Sequence, residues 1–446
     1  MEANEHKEPK IRVEDLVMIF GRQPRREALP LLKEGVEKDE ILARTGHVVG
    51  VSNASFTVQE GEIFVVMGLS GSGKSTLIRC VNRLIEPTSG QVYIDGEDVL
   101  QVDKQRLRQI RRTKMAMVFQ HFALLPHKTV WENVAYGLKI RGVSEQERRS
   151  RALESLDLVG LKPWADRHPA NLSGGMKQRV GLARALAMDA DILLMDEAFG
   201  ALDPLIRRQM QNELLQLQEA LQKTVLFITH DLNEALRVGN HVAIMKDGEI
   251  VQIGTPVEII TEPATNYVAA FVQDVDQSRV LTAEVVMKPA DVLVLGRDAV
   301  QTAVNRMKAK DAASHFYVVN EQKQIEGLLS RHRILRDGKA DNKDKDLSRY
   351  LDREYPSTHP GASLTELYAL VAHGVPVAVI DASGRLMGTV HASDVLSSLA
   401  TIEEIGEQAD EEQATGIVTG NVSGNGSNGN GAQQKSEDTE NTVETK

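Results

Sequence analysis

Residues 68–76 read Gly68-Leu69-Ser70-Gly71-Ser72-Gly73-Lys74-Ser75-Thr76, which fits the phosphate-loop pattern Gly-x4-Gly-Lys-[Ser/Thr]. The residues before it, 63–67 (IFVVM), form an apolar strand, and 75–84 carry a helical pattern. A strand before and a helix after are the context this loop requires. Its glycines let successive backbone amides turn toward a polyphosphate. Lys74 brings a cation to the β- and γ-phosphates, and the Ser75 hydroxyl is a candidate Mg²⁺ ligand. Working outward, apolar runs at 115–119, 192–196, 225–229 and 242–245 alternate with helical patterns at 178–187, 205–221 and 232–238. Strands alternating with helices predict an α/β domain built on a largely parallel sheet covered on both faces.

The chain is longer than one such domain. Its 446 residues correspond to about three domains at roughly 150 residues each. A composition of 41% hydrophobic and 26% charged residues is that of a soluble globular protein. No run approaches the roughly 18–20 apolar residues of a membrane span, and the charged start MEANEHKEPK lacks a secretory apolar core. The single cysteine, Cys80, excludes a disulfide framework or a zinc cluster of several thiolates and reads as a small core residue. Twelve scattered histidines show no ligand spacing, so no metal beyond Mg²⁺ is expected. Folding in the cytoplasm is the expectation. Of the net charge of −11, −8 comes from residues 402–446, with ten acids against two lysines. The near-neutral remainder speaks against a nucleic-acid partner, which calls for a strong positive excess.

Two segments depart from the α/β pattern. Residues 22–50, between the first strand and one near Val51, read as two short amphipathic helices, with Gly35 and Gly46 as stop signals. This insertion is either a solvated bump or a regulatory or partner surface. Farther on, FYVVNEQKQIEGLLSRHRIL (316–335) aligns without gaps to VAVIDASGRLMGTVHASDVL (377–396), an offset of 61. Each copy reads strand, turn, strand, helix, and a helical pattern precedes each (Val300, Ala303, Val304, Met307; Leu364, Leu367, Tyr368, Val371). Two small β-α-β-β-α units that pack as a pair are expected. After 402 the text turns Glu-rich and then Gly/Asn/Ser-rich, and disorder is expected.

Two further motifs bear chemistry. In DILLMDEAFGALDP (191–204) an apolar strand ends in Asp196, a candidate Mg²⁺ ligand, and Glu197, a candidate base for the attacking water. The acids lie 122 residues and more beyond Lys74. In Leu172-Ser173-Gly174-Gly175-Met176-Lys177-Gln178-Arg179 a glycine-rich turn opens a helix, where Ser173 and the Gly175 amide can meet a phosphate. A plainly capped helix is the alternative.

In this order, with Gln120 between the first loop and the second, Asp203 after the acids and His230 beyond, these motifs resemble the ATPase subunit of an ATP-binding-cassette (ABC) transporter over about 260 residues. The resemblance implies a P-loop NTPase domain with a helical subdomain. It implies two copies of the chain sandwiching two ATP, each site pairing the loop 68–76 of one copy with the loop 172–178 of the other. It gives Lys74, Glu197, His230 and Gln120 as catalytic, His230 holding the γ-phosphate and Gln120 sensing Mg²⁺ and water. Asp203 signals between copies, Ser75, Gln120 and Asp196 serve Mg²⁺, and Phe20 stacks on adenine unless it is an ordinary core aromatic. With Glu197 and His230 both present, hydrolysis is expected.

The 22–50 insertion, VFQHFALLPHKTV (118–130), LLMDEAFGALDPLIR (193–207) and the terminal repeats together resemble the ATPase of glycine betaine/proline importers, over about 400 of the 446 residues. The repeats resemble cystathionine-β-synthase-type (CBS) domains. Implied are an ABC domain at 1–272, a linker at 273–281, CBS units at 282–340 and 341–401, and the tail at 402–446. Also implied are a separate membrane permease, an external substrate-binding protein and a peripheral place on the cytoplasmic face of the membrane. Residues 121–127 (HFALLPH) are either the surface that receives the permease or a hinge packed on the core. The adenosine-binding pattern of CBS units is split here: Ser330 has the hydroxyl with Arg333 for the acid, and Asp394 has the acid with His391 for the hydroxyl. The resemblance implies regulation through the CBS pair by ionic strength or by a nucleotide such as a cyclic dinucleotide, and a purely structural, dimer-stabilising role is the alternative. Salt sensing by the acidic tail against Arg22, Arg25 and Arg26 stands beside a merely solubilising tail. The alternatives are an importer ATPase for another solute such as an amino acid, a soluble non-transport cassette ATPase, and a non-hydrolysing CBS sensor.

Overall fold

The computed structural model describes residues 8–397, apart from 121–122, 201, 274, 276–277, 279, 299, 309–314 and 334–346. The expectation of disorder for 402–446 therefore falls outside the described residues.

The central sheet has six strands in the order Glu249–Gly254, His241–Lys246, Ile63–Met67, Thr224–Thr229, Ile192–Asp196, Met115–Val118. All neighbours are parallel except the first pair, which is an antiparallel hairpin. The middle strands are buried throughout, and the two-residue period of a strand divides their side chains between two cores. Ile63, Val65, Met67, Leu193, Met195, Val225 and Phe227 face the helices Val130–Val134, Glu145–Leu158 and Gly174–Ala187. Phe64, Val66, Ile192, Leu194, Leu226 and Ile228 face the other way, onto the helix Lys74–Val81 and a second sheet.

That second sheet is where the structure departs from the expected single parallel sheet. It is antiparallel, in the order Val48–Val58, Ile11–Phe20, Ser89–Ile94, Glu97–Asp98. Bulges interrupt both long pairings of Ile11–Phe20, so its inward residues do not alternate cleanly in sequence. The insertion holds three helices, Pro24–Glu27, Leu29–Lys33 and Lys38–Thr45, where two were expected. Ala28 separates the first two, and Gly46 ends the third with left-handed backbone, as anticipated. Ala28 and Ile41 bury against Val17 and Ile19 of the neighbouring strand.

Each repeat unit holds a three-stranded sheet: Val292–Val294, His315–Val319, Ile325–Ser330 in the first, and Ser357–Thr358, Val377–Ile380, Leu386–Val390 in the second. In both, the first pair is parallel and the second antiparallel. The end of the first aligned copy, 334–335, lies outside the described residues. Tyr317, Val319 and Leu328 of one unit meet Ala378 and Leu386 of the other in a shared core. The Tyr317 hydroxyl donates to the Pro376 carbonyl at 2.6 Å, and burial raises its pKa.

Candidate active site

Because four neighbouring strands of the central sheet run parallel, the segments that follow them emerge along one edge. Ile63–Met67 feeds the loop 68–73, Thr224–Thr229 feeds His230, Ile192–Asp196 ends in Asp196 and feeds Glu197, and Met115–Val118 leads to Gln120. Residues scattered over about 160 positions are thereby collected at one edge.

The phosphate loop is tightly built. Gly68 has φ +154°, and a Cβ there would lie 2.1 Å from the Met245 carbonyl oxygen. Gly73, which opens the Lys74–Val81 helix, has φ +97°, and its Cβ would lie 2.2 Å from the Gly50 oxygen. Only glycine satisfies both demands. The remaining members, Leu69, Ser70, Gly71 and Ser72, complete the turn, and Ser75 and Thr76 continue the helix. Lys74 is 4% exposed and donates to the Leu69 carbonyl at 2.8 Å and the Ser72 hydroxyl at 3.4 Å. Burial lowers its pKa, opposed by the negative charges of Glu197 and Asp196.

The Ser75 hydroxyl donates to Asp196 Oδ1 at 2.7 Å, and Arg79 Nη2 holds Oδ2 at 3.1 Å. Glu197 adopts left-handed backbone, φ +46°, as one of eleven non-glycine residues with positive φ among the described residues. Its Oε2 accepts from Gln120 Nε2 at 3.0 Å and stands 3.3 Å from His230 Nδ1. The hard oxygens of Ser75 and Asp196, with the Gln120 amide beside Glu197, fit the oxygen donors that Mg²⁺ would take.

Ser173 caps the helix Gly174–Ala187, accepting from the Met176 amide at 3.3 Å. A Cβ on Gly175 would lie 2.6 Å from Ile206 Cγ2, so this loop abuts the start of the helix Pro204–Leu221. Leu172 and Gln178 are buried, leaving 173–177 as the accessible part. Asp203 caps Pro204–Leu221 by accepting from the Ile206 amide at 3.1 Å. Beside it Leu205 is 77% exposed.

Phe20 ends its strand 40% exposed and pairs in register with Val48, although the insertion separates them in sequence. A Cβ on Gly50 would lie 2.8 Å from Phe20 Cε2, and the Gly50 carbonyl packs on Gly73. Phe20 thus stands one glycine away from the phosphate loop. Of 121–127, His121 and Phe122 lie outside the described residues. The Leu125 amide donates to Asn133 Oδ1 at 2.7 Å, and a cavity of about 340 Å³ lined by Met117, Phe119, Leu125, Tyr136 and Met188 lies alongside.

In the repeat pair, Ser330 accepts from the Arg333 amide at 3.4 Å, and Arg333 is ion-paired with Asp352. Asp394 is buried, accepts from the His391 amide at 2.8 Å and pairs with Lys288 at 2.7 Å. Ser330 is the register partner of His315, whose pKa is lowered by burial and by His391.

Reasoning from sequence missed Arg79, though its spacing of four from Ser75 on a helix puts both on one face. It also missed a network behind His230. Arg207 Nη1 donates to Asp231 Oδ2 at 3.0 Å, and Nη2 reaches the carbonyls of Leu202 at 3.3 Å and Gly200 at 3.5 Å. Glu234 accepts from the Thr229 hydroxyl and from Gln211 Nε2 at 2.9 Å. Burial raises its pKa against those two hydrogen bonds. No local sequence signal marks these pairings, which join separate elements.

The ABC transporter family model matches residues 51–200, and the CBS domain model matches 283–338 and 346–401. The glycine betaine transport ATP-binding protein OpuAA of Bacillus subtilis (strain 168) is 50% identical over 392 residues, 88% of this chain and 92% of that protein. The glycine betaine/carnitine transport ATP-binding protein GbuA of Listeria monocytogenes serotype 1/2a (strain 10403S) is 47% identical over 392 residues, 88% of this chain and 98% of that protein. The glycine betaine/proline betaine transport system ATP-binding protein ProV of Salmonella typhimurium (strain LT2) is 49% identical over 324 residues, 72% of this chain and 80% of that protein. Among the described residues no helix is long and apolar enough to cross a membrane.

Proposed function

The chain belongs to the ATP-binding subunits of ABC transporters, with tandem CBS domains, and we propose that it powers import of glycine betaine-type osmoprotectants by hydrolysing ATP. The observation that carries this reading is the convergence of Lys74, Ser75, Asp196, Glu197, Gln120 and His230 on one sheet edge, beside a glycine-built phosphate loop. The solute class is supported by relatives named for glycine betaine transport that span most of this chain.

In this reading the amides of 68–76 and Lys74 bind the β- and γ-phosphates, and Phe20 stacks on adenine. Ser75, Asp196 and Gln120 hold Mg²⁺, which neutralises phosphate charge. Glu197 accepts a proton from the attacking water as its oxygen bonds to the γ-phosphorus and the β–γ bridge breaks, releasing ADP. Gln120 fixes the Glu197 carboxylate, and His230 binds the γ-phosphate. A second copy completes each site through its Ser173–Lys177 loop, and Asp203 faces that copy. The partners are a membrane permease, received near 121–127 on the cytoplasmic face, and a substrate-binding protein. The CBS pair regulates the cycle.

The test is uptake of labelled glycine betaine by cells carrying this chain with its permease and binding protein, at low and high osmolarity. Uptake should rise with osmolarity and vanish in Glu197→Gln. Betaine ignored while the intact chain still hydrolyses ATP would remove the solute assignment and leave the ATPase.

A further inference from the structure

Two elements carry the residues assigned to the partner copy and to the γ-phosphate. The helix Pro204–Leu221 begins at Asp203, and the helix Leu232–Val238 begins just after His230. Two polar struts join them. The first is the Arg207–Asp231 pair at 3.0 Å, and the same guanidinium holds the carbonyls of Leu202 and Gly200 in the turn that leads to Asp203. The second is Gln211 to Glu234 at 2.9 Å, with Glu234 also bound by the Thr229 hydroxyl. Arg207 and Gln211 are one helical turn apart on one face, and so are Asp231 and Glu234 on the other. Thr229 and Asp231 flank His230 directly, and the Asp231 amide donates to the Thr229 hydroxyl at 3.1 Å. The residues on both sides of His230 are therefore tied to the helix that Asp203 caps, Asp231 directly through Arg207 and Thr229 through Glu234, which Gln211 holds.

We propose that Arg207 and Glu234 are positioning residues that lock the Asp203 turn to the His230 turn, so that closure of two copies and engagement of the γ-phosphate are one mechanical event. The inference rests on the assignment of Asp203 to the partner and His230 to the γ-phosphate. Neither strut contains a residue assigned to the nucleotide. Their action is the geometry they impose. Glu234 is almost fully buried, so its bonds to Thr229 and Gln211 are shielded from competing water.

The purified full-length chain is compared with Arg207→Gln, Asp231→Asn, their double variant, Arg207→Lys and Gln211→Met, with His230→Ala as control. Asn at 231 retains the helix cap while removing the charge. The readouts are kcat for ATP, the Hill coefficient in ATP, and equilibrium affinity for ADP, which lacks the γ-phosphate. Expected are a roughly tenfold loss of kcat in Arg207→Gln and in Asp231→Asn, a Hill coefficient falling toward one, and ADP affinity within about twofold of the intact chain. The double variant should be no slower than the slower single one, since both remove the same link. Arg207→Lys, which keeps the cation, should recover part of the rate, and Gln211→Met should lose about threefold. Unchanged kcat in Arg207→Gln while His230→Ala is inactive overturns the proposal alone. An active His230→Ala overturns the underlying assignment and the proposal with it. Multiplying deficits in the double variant, or ADP affinity falling in parallel with kcat, reduce the struts to ordinary fold stability and also overturn it.

Discussion

The phosphate loop shows how much one missing Cβ decides. Gly71 and Gly73 both have left-handed backbone, at φ +85° and +97°, but only at Gly73 is the space taken, by the Gly50 oxygen. Alanine at 71 meets conformational strain alone, on the order of 1 kcal/mol. Alanine at 73 adds a collision with main chain that cannot swing aside, so its cost should be about 3 kcal/mol or more. Urea unfolding of the nucleotide-free full chain measures both, and comparable midpoints in the two variants would contradict the crowding seen at Gly73. A different strain is held at Glu197, whose left-handed backbone is kept in place by its amide's bond to the Ile228 carbonyl at 3.0 Å. Its carboxylate lies between Gln120 and His230, at 3.0 and 3.3 Å.

At the scale of elements, the insertion is the segment whose sequence said least about its place. Its short helices bury few residues each, and their meaning depends on Val17 and Ile19 across the strand. Lys38 reaches over to the Asp247 carbonyl and to Glu249, at 3.2 Å, tying the insertion to the hairpin beside the phosphate loop. Ile41→Ala removes a fully buried side chain from this small core and should cost about 2–4 kcal/mol locally. Faster hydrogen exchange at 24–45, together with weaker ATP binding through a less ordered Phe20, is the expected result. Fast exchange with unchanged ATP affinity would separate the insertion from the nucleotide. The central strands, by contrast, were legible to within a residue or so, because parallel strands buried on both faces read as continuous apolar runs. The antiparallel sheet was not: bulges in Ile11–Phe20 break the alternation that would have announced it. The repeat pair was legible because its apolar positions recur at a fixed offset, while the commitment of Asp394 to Lys288 and to a helix start is a tertiary fact.

Over the whole molecule, charge is the quantity most unevenly spread. The last 45 residues hold −8 of the −11, leaving the rest of the chain close to neutral. The insertion presents Arg22, Arg25 and Arg26 on its exposed side, with Arg25 Nε donating to the Thr88 carbonyl at 2.8 Å. Attraction between an acidic tail and exposed arginines is steep in salt, because the screening length is about 8–10 Å at ordinary ionic strength and shortens as salt rises. Such a contact holds at low ionic strength and releases at high, the sign an osmotically induced importer needs if the contact is inhibitory. Removing 402–446 should therefore raise betaine uptake at low osmolarity and flatten its dependence on salt. Reversing Arg22, Arg25 and Arg26 together to Glu in the full-length chain should reproduce that behaviour, since the tail then meets repulsion in place of attraction. The two experiments share one cause and must agree. A truncated chain with an unchanged salt curve leaves the tail as a solubilising extension, and a response that survives truncation but disappears on reversing the arginines assigns the sensing to the insertion and another partner.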